Sequence, residues 1–136
     1  MIVVDTPVWS LALRRKPEQL AKTEGRIVQV LSRLIDDGRA GLLGAVRQEL
    51  LSGLREETQF RRLRDFLRDF PDLSVSSLDY EEAAHSSNRC RGAGIAASPV
   101  DMLICALALR HDCEIFTTDK DFVEYQRILK IQLLAI

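Results

Sequence analysis

Met1-Ile2-Val3-Val4-Asp5-Thr6-Pro7-Val8-Trp9 is the stretch that decides the fold. Val3 and its neighbours are branched at Cβ, which favours the pleated backbone of a strand. The run closes on Asp5, and Thr6-Pro7 then reads as an N-cap followed by proline at the first helical position, where a missing N–H costs nothing. A strand therefore runs straight into a helix, with a carboxylate at the joint.

The same alternation continues outward. The polar stretch Arg14 to Gln19 leads to a helix from about Lys22 to Asp37, with Ile27, Val30, Leu31, Leu34 and Ile35 at helical spacing and Gly38 as its stop. Gly41-Leu42-Leu43-Gly44 suits a short buried strand, and Ala45 to Leu51 a short helix ended by Ser52-Gly53. Thr58 to Phe70 carries Phe60, Leu63, Phe66, Leu67 and Phe70 on one stripe until Pro71-Asp72 breaks it. Leu73-Ser74-Val75 predicts a strand, and Asp79-x-x-Glu82 opens a helix in capping-box style that fades near Arg91-Gly92-Ala93-Gly94. Ser98-Pro99 starts a helix that runs through Met102, Leu103, Ala106, Leu107 and Leu109 to His111, apolar on most sides and so packed deep. Glu114 to Thr117 reads as a strand, Asp119 to Tyr125 as a short helix and Ile131 to Leu134 as a last strand. Short apolar strands alternating with longer helices predict a three-layer α/β fold, with a mainly parallel central sheet flanked by helices, as one domain over residues 1–136.

Composition narrows the function. At 46% apolar and 29% charged the chain is an ordinary globular one, and no apolar run is long enough to cross a bilayer, so no membrane partner is expected. No basic segment precedes the first apolar run and an acid follows it, which argues against a signal peptide. Cys90, Cys105 and Cys113 are odd in number and lack C-x-x-C spacing, as suits reduced thiols in the cytoplasm. A net charge of −1 gives no general attraction to a polyanion. Basic residues do cluster, at Arg14-Arg15-Lys16, at Arg61, Arg62, Arg64 and Arg68, and at Arg89 and Arg91; they read as solvated helix faces or as phosphate contacts.

Acids fall where a parallel sheet places its sites, just beyond the carboxyl ends of the strands. Asp5 follows the first strand, Asp119 the late one, Glu49 lies about one helical turn past the second, and Asp101 sits in the first turn of the helix opened by Ser98-Pro99. Each has an ordinary structural explanation. Asp101 completes a capping-box pattern with Ser98, Asp121 does so with Thr118, Asp5 could be a turn residue, and Glu49 a solvated helix residue. One common cause explains all four on one rim better than four accidents do. Bare, the carboxylates repel one another; ionised together they need a cation, and oxygen ligands without nearby His or Cys select a hard one, Mg²⁺ or Mn²⁺. No residue stands out as a covalent nucleophile, and neither a P-loop nor G-x-G-x-x-G follows any strand. A receiver-like phosphorylation module would want an acidic pair after the first strand and a lysine closing a late one; Asp5-Thr6-Pro7 lacks the pair, and Lys120 falls after the strand.

Four segments together resemble the PIN domain: Ile2 to Trp9, Gln48-Glu49-Leu50-Leu51-Ser52-Gly53, Pro99-Val100-Asp101-Met102-Leu103-Ile104-Cys105-Ala106-Leu107-Ala108, and Phe116-Thr117-Thr118-Asp119-Lys120-Asp121-Phe122. Their order and spacing match as well, over nearly the whole chain. The resemblance implies a divalent-metal ribonuclease with Asp5, Glu49, Asp101 and Asp119 in the family's acidic positions, Asp121 as the auxiliary acid, and Thr6 and Thr117 as hydroxyl residues orienting the site. Pro7 and Gly44-Ala45 depart from the pattern, standing where relatives often carry small polar residues. A chain of this length without an added domain is similar to VapC-type toxins, which implies an RNA substrate, a cognate antitoxin and a homodimer. A PIN-type RNA-processing nuclease without an antitoxin and a silent PIN-like binding module are the alternatives.

Overall fold

The computed structural model describes residues 1–136. Four strands, β1 (Ile2–Val4), β2 (Ala40–Gly41), β3 (Glu114–Phe116) and β4 (Gln132–Leu133), form one sheet in the order β2-β1-β3-β4. Every pairing is parallel: Ile2 lies opposite Ala40 on one side and Glu114 on the other, and Ile115 lies opposite Leu133. All three β1 residues are buried, as a strand covered on both faces requires. β2 approaches β1 so closely that a Cβ on Gly41 would stand 3.0 Å from the Ile2 carbonyl oxygen, so any larger residue would push the strands apart by a few tenths of an ångström.

Seven helices flank the sheet: α1 (Thr6–Arg14), α2 (Lys22–Asp36), α3 (Gly44–Leu51), α4 (Glu57–Leu67), α5 (Ser77–Gly92), α6 (Pro99–His111) and α7 (Asp121–Gln126). α1 packs against α2 and α3, α5 against α6, and α6 lies on β1 and β3. Seven consecutive α6 residues, Met102 to Ala108, are buried, which matches a helix apolar all round. Trp9, Phe116, Phe122 and Tyr125 are among the largest side chains of the buried cluster. Gly38 ends α2 in the left-handed region at φ 69°, with the Arg39 N–H bonded to the Leu34 carbonyl. No helix is long and apolar enough to cross a membrane.

Several boundaries differ from the sequence reading, each for a local reason. α1 is capped one residue earlier than Thr6, by Asp5, whose carboxylate accepts from the Thr6 N–H. α5 is capped by Ser76, so Asp79 is its third residue and closes the box backward instead of opening it toward Glu82. α7 is capped without a side-chain bond by Lys120; no Thr118 box forms, and the Asp121 N–H goes to Asp119 instead. Leu73-Ser74-Val75 is not a strand: pairing there stops at one bridge between Leu42 and Asp72. α4 ends at Leu67 because Pro71 has no N–H to offer the Leu67 carbonyl, which accepts instead from the Phe70 N–H and from Arg47, while Arg47 also donates to the Phe70 carbonyl.

Candidate metal centre

In a doubly wound sheet the ligand crevice opens where the chain leaves one strand toward opposite sides. Here that point lies between β1 and β3, since β2 was added on one side of β1 and β3 on the other. Asp5 stands at the carboxyl end of β1, and Thr117 and Asp119 just past β3. The Asp5 N–H still bonds the Phe116 carbonyl at 2.9 Å, which locks the two strand ends together before they diverge.

Asp5 is 4% exposed, and both its oxygens are engaged. Oδ1 accepts from the Thr6 N–H at 2.8 Å, and Oδ2 accepts from the Thr117 hydroxyl at 2.7 Å. Thr117 Oγ in turn accepts from the Asp119 N–H at 3.0 Å, and Asp119 Oδ1 accepts from the Asp121 N–H at 2.9 Å. One chain of hydrogen bonds therefore passes from the end of β1 through the loop after β3 to the start of α7. Asp101, Asp119 and Asp121 each bring a carboxylate oxygen within 4.8 Å of the other two. Asp101 and Asp119 are half-buried and Asp121 exposed, as for a site opening to solvent on one side.

Glu49 does not join that trio. It is exposed on α3 and meets the site through Thr6, whose hydroxyl donates to its Oε2 at 2.8 Å. Asp121, for which the family resemblance implies an auxiliary place, lies inside the cluster, while Glu49 sits at its margin. Tyr125 was missed altogether. Its hydroxyl donates to Asp101 Oδ2 at 2.7 Å, and the one sequence signal was its position four residues after Asp121, on the same face of α7. The capping explanation of Asp101 fails in part: its N–H donates to Ser98 Oγ at 3.1 Å, but its carboxylate bonds Tyr125 and does not return to the Ser98 backbone.

Electrostatics shows what the cluster lacks. Burial pushes the Asp5 carboxyl up to about 6; the bonds from Thr117 and Thr6 oppose that shift, and the nearby charges of Asp101 and Asp119 reinforce it. Burial also raises Asp101, with the bonds from Tyr125 and Ser98 opposing and the charges of Asp119 and Asp121 adding. None of the ion pairs in the molecule involves Asp5, Asp101, Asp119 or Asp121. Buried carboxylates without a cation fit a hard divalent ion, and oxygen donors alone are its preferred ligands. Cys105, on α6 one turn past Asp101, is buried and its thiol is pushed up by burial with Asp101 adding, so it stays protonated and offers no nucleophile.

The PIN-domain family model matches residues 2–128. VapC ribonuclease Mb1587 of Mycobacterium bovis is 31% identical over 134 residues, which cover 97% of this chain and 96% of that protein. Among solved structures, FitAcB from Neisseria gonorrhoeae has a TM-score of 0.76 at 22% identity, covering 99% of this chain and 97% of that one. A toxin-antitoxin complex from Klebsiella pneumoniae has a TM-score of 0.66 at 18% identity, covering 90% of each chain. The two structures speak for the fold, which is the α/β arrangement that the alternating strands and helices predict. Kinship follows from the family model and from identity sustained along almost the entire sequence: the chain belongs to the PIN-domain family, among its VapC-type ribonucleases.

Proposed function

We infer that this chain is an endoribonuclease that hydrolyses RNA phosphodiesters with Mg²⁺, Mn²⁺ serving in its place, and that a cognate antitoxin silences it. The observation that carries the reading is the trio Asp101, Asp119 and Asp121 at the β1–β3 crevice with Asp5 buried beside it, none of them paired with a basic side chain. Asp5, Asp101, Asp119 and Asp121 would hold the ion, with Glu49 at the margin. Bound there, a divalent cation offsets the charge building on a phosphoryl group and makes water a better nucleophile. The chain's own residues do the remainder. Thr117 and the Thr6 N–H fix the Asp5 carboxylate in one orientation. Glu49, exposed and held by Thr6, would accept a proton from the attacking water. No step needs a covalent intermediate.

The antitoxin reading draws on the kinship with the VapC ribonuclease, on the shared fold of the toxin-antitoxin complex above and on an open groove. A cavity of about 550 Å³ between α1 and α4 is walled by Ala12, Leu13, Leu54, Leu63 and Phe66 and edged by Arg14 and Arg62. Phe66 remains 41% exposed there, as a seat for an apolar segment would leave it. Leu78 and Tyr80 are each 59% exposed on α5, and Tyr80 lines a groove with Ala83, Val100 and Leu103 that suits a second copy. The α2 face offers less to a partner, since Leu31 and Leu34 are buried in the core.

Purified protein incubated with a mixed RNA pool is expected to cut it in Mg²⁺ and not in EDTA, and the Asp101→Asn variant to cut it far more slowly in Mg²⁺. Undiminished cleavage in EDTA refutes the mechanism. A flanking reading frame whose product suppresses the cleavage supports the toxin role over that of a processing nuclease.

A further inference from the structure

α7 is one of the shortest helices in the molecule, yet it reaches the carboxylate cluster twice. Asp121 and Tyr125 are four residues apart and so project from one face of the helix. Asp121 adds a carboxylate to Asp101 and Asp119, and Tyr125 donates its hydroxyl to Asp101 Oδ2 at 2.7 Å. The Tyr125 ring is 1% exposed and stands edge-on to Phe122, with centroids 5.1 Å apart, so the phenol has little freedom to point elsewhere. The end of α7 is fixed as well: the Leu129 N–H bonds the Tyr125 carbonyl at 2.7 Å, and Arg89 on α5 donates to the Ile128 carbonyl at 2.8 Å.

We propose that Tyr125 is a positioning residue for Asp101, holding that carboxylate turned toward Asp119 and Asp121 in readiness for a divalent cation. The inference rests on the metal reading above. The Asp101 backbone N–H is anchored to Ser98 Oγ at 3.1 Å, and the 2.7 Å bond from Tyr125 is the main one to its carboxylate, with the Ser98 hydroxyl assisting. Left free, it would swing away from its two like-charged neighbours. A phenol suits the task because it is a strong hydrogen-bond donor without net charge. A lysine or arginine in its place would orient Asp101 equally well but would supply the positive charge that the cation is there to supply. Tyr125 also occupies one oxygen and leaves the remaining lone pairs of Asp101 for the ion.

The test is Mn²⁺ affinity by titration calorimetry for wild type, Tyr125→Phe, Asp101→Asn and the double variant, with melting in EDTA as the check on folding. Tyr125→Phe keeps the ring and its packing and deletes only the donor. It is expected to weaken Mn²⁺ binding about 10-fold or more, the scale for a partner that orients a metal ligand. In the Asp101→Asn background the same change is expected to have no further effect, because Tyr125 acts through Asp101. A merely structural hydroxyl would shift the EDTA melt and leave the affinity untouched. Wild-type affinity in Tyr125→Phe overturns the proposal while leaving the metal site intact, and so does an equal loss in both backgrounds. Failure of the wild type to bind Mn²⁺ at all overturns this inference and the metal reading together.

Discussion

Two carboxylates are buried in this protein, and they are buried in opposite ways. Asp79, 1% exposed at the start of α5, is surrounded by donors. Its Oδ2 accepts from the Ser76 N–H at 2.9 Å and the Ser76 hydroxyl at 3.2 Å. Its Oδ1 accepts from Arg110 at 2.6 Å and lies 3.2 Å from His111 Nε2, both at the end of α6. The Ser76 backbone bond, with Arg110 and His111 assisting, overcomes the cost of burial and holds the Asp79 carboxyl down at about 2. Asp5, 4% exposed, has two hydrogen-bond donors but no cation, only further acids, and sits at about 6. Burial of an acid therefore does not mark a metal site. What marks it is burial without local neutralisation, because a structural acid brings its own counter-charge.

Breaking each region separates the two kinds of acid. The largest expected effect is on activity. Asp101→Asn is predicted to cut RNA on the order of 10²-fold more slowly, the scale for losing one group that stabilises developing charge, as read by initial rates in saturating Mg²⁺. Asp79→Asn should do the reverse. It removes the negative charge and one of the two acceptor oxygens that tie α5 to α6, so stability in urea is predicted to fall by about 3 kcal/mol, with the Mg²⁺ response unchanged. A wild-type urea midpoint for Asp79→Asn would erase the contrast.

Acidity sharpens the comparison, since the two shifts have opposite signs. Asp5 has a folded pKa above its ordinary 3.8, so its favourable contribution is complete below that pH and is lost as the pH climbs to about 6. In EDTA this amounts to about 3 kcal/mol of destabilisation across that window, offset when Mg²⁺ is added. Asp79 has a lowered folded pKa, so its contribution is present above pH 3.8 and disappears as the pH falls toward 2. Melting from pH 3 to 7 in EDTA, repeated with Asp5→Asn, checks the first: the variant should lose the downward slope between pH 4 and 6. The smallest effect belongs to the margin. Thr6→Val severs only an exposed bond to Glu49, so stability should move by no more than about 0.5 kcal/mol, while placement of Glu49, and with it the rate, suffers more.

The contrast also explains what was legible in the sequence. Asp5, Asp101 and Asp119 could be placed because strand ends and a Ser-Pro helix start are local patterns, and topology then gathers them without further information. The order β2-β1-β3-β4 is what turns three separate local signals into one crevice. Asp79 was legible only as a helix-opening acid, because Arg110 and His111 lie 31 and 32 residues away and no local pattern links them to it. Tyr125 was hidden for the same reason, its partner Asp101 being 24 residues distant. Leu73 to Val75 looked like a strand by propensity, yet Asp72 is held by Arg47 at 2.8 Å and the segment turns off to Ser76 after a single bridge. Tertiary contacts decide such short segments, and propensity is too weak to oppose them.

The central claim is that the Asp5 cluster is short of positive charge and that a divalent cation makes good the deficit. Thermal melting of wild type and Asp5→Asn in EDTA and across a Mg²⁺ series tests it most directly. Without metal, Asp5→Asn is predicted to melt at or above the wild-type temperature, since a buried charge and its repulsions are removed. With Mg²⁺, wild-type stability is predicted to grow as RT ln(1 + [Mg²⁺]/Kd), while the variant stays nearly flat. An Asp5→Asn protein that melts lower in EDTA yet keeps the full Mg²⁺-dependent rise would show that Asp5 is a structural cap and that the cation binds elsewhere.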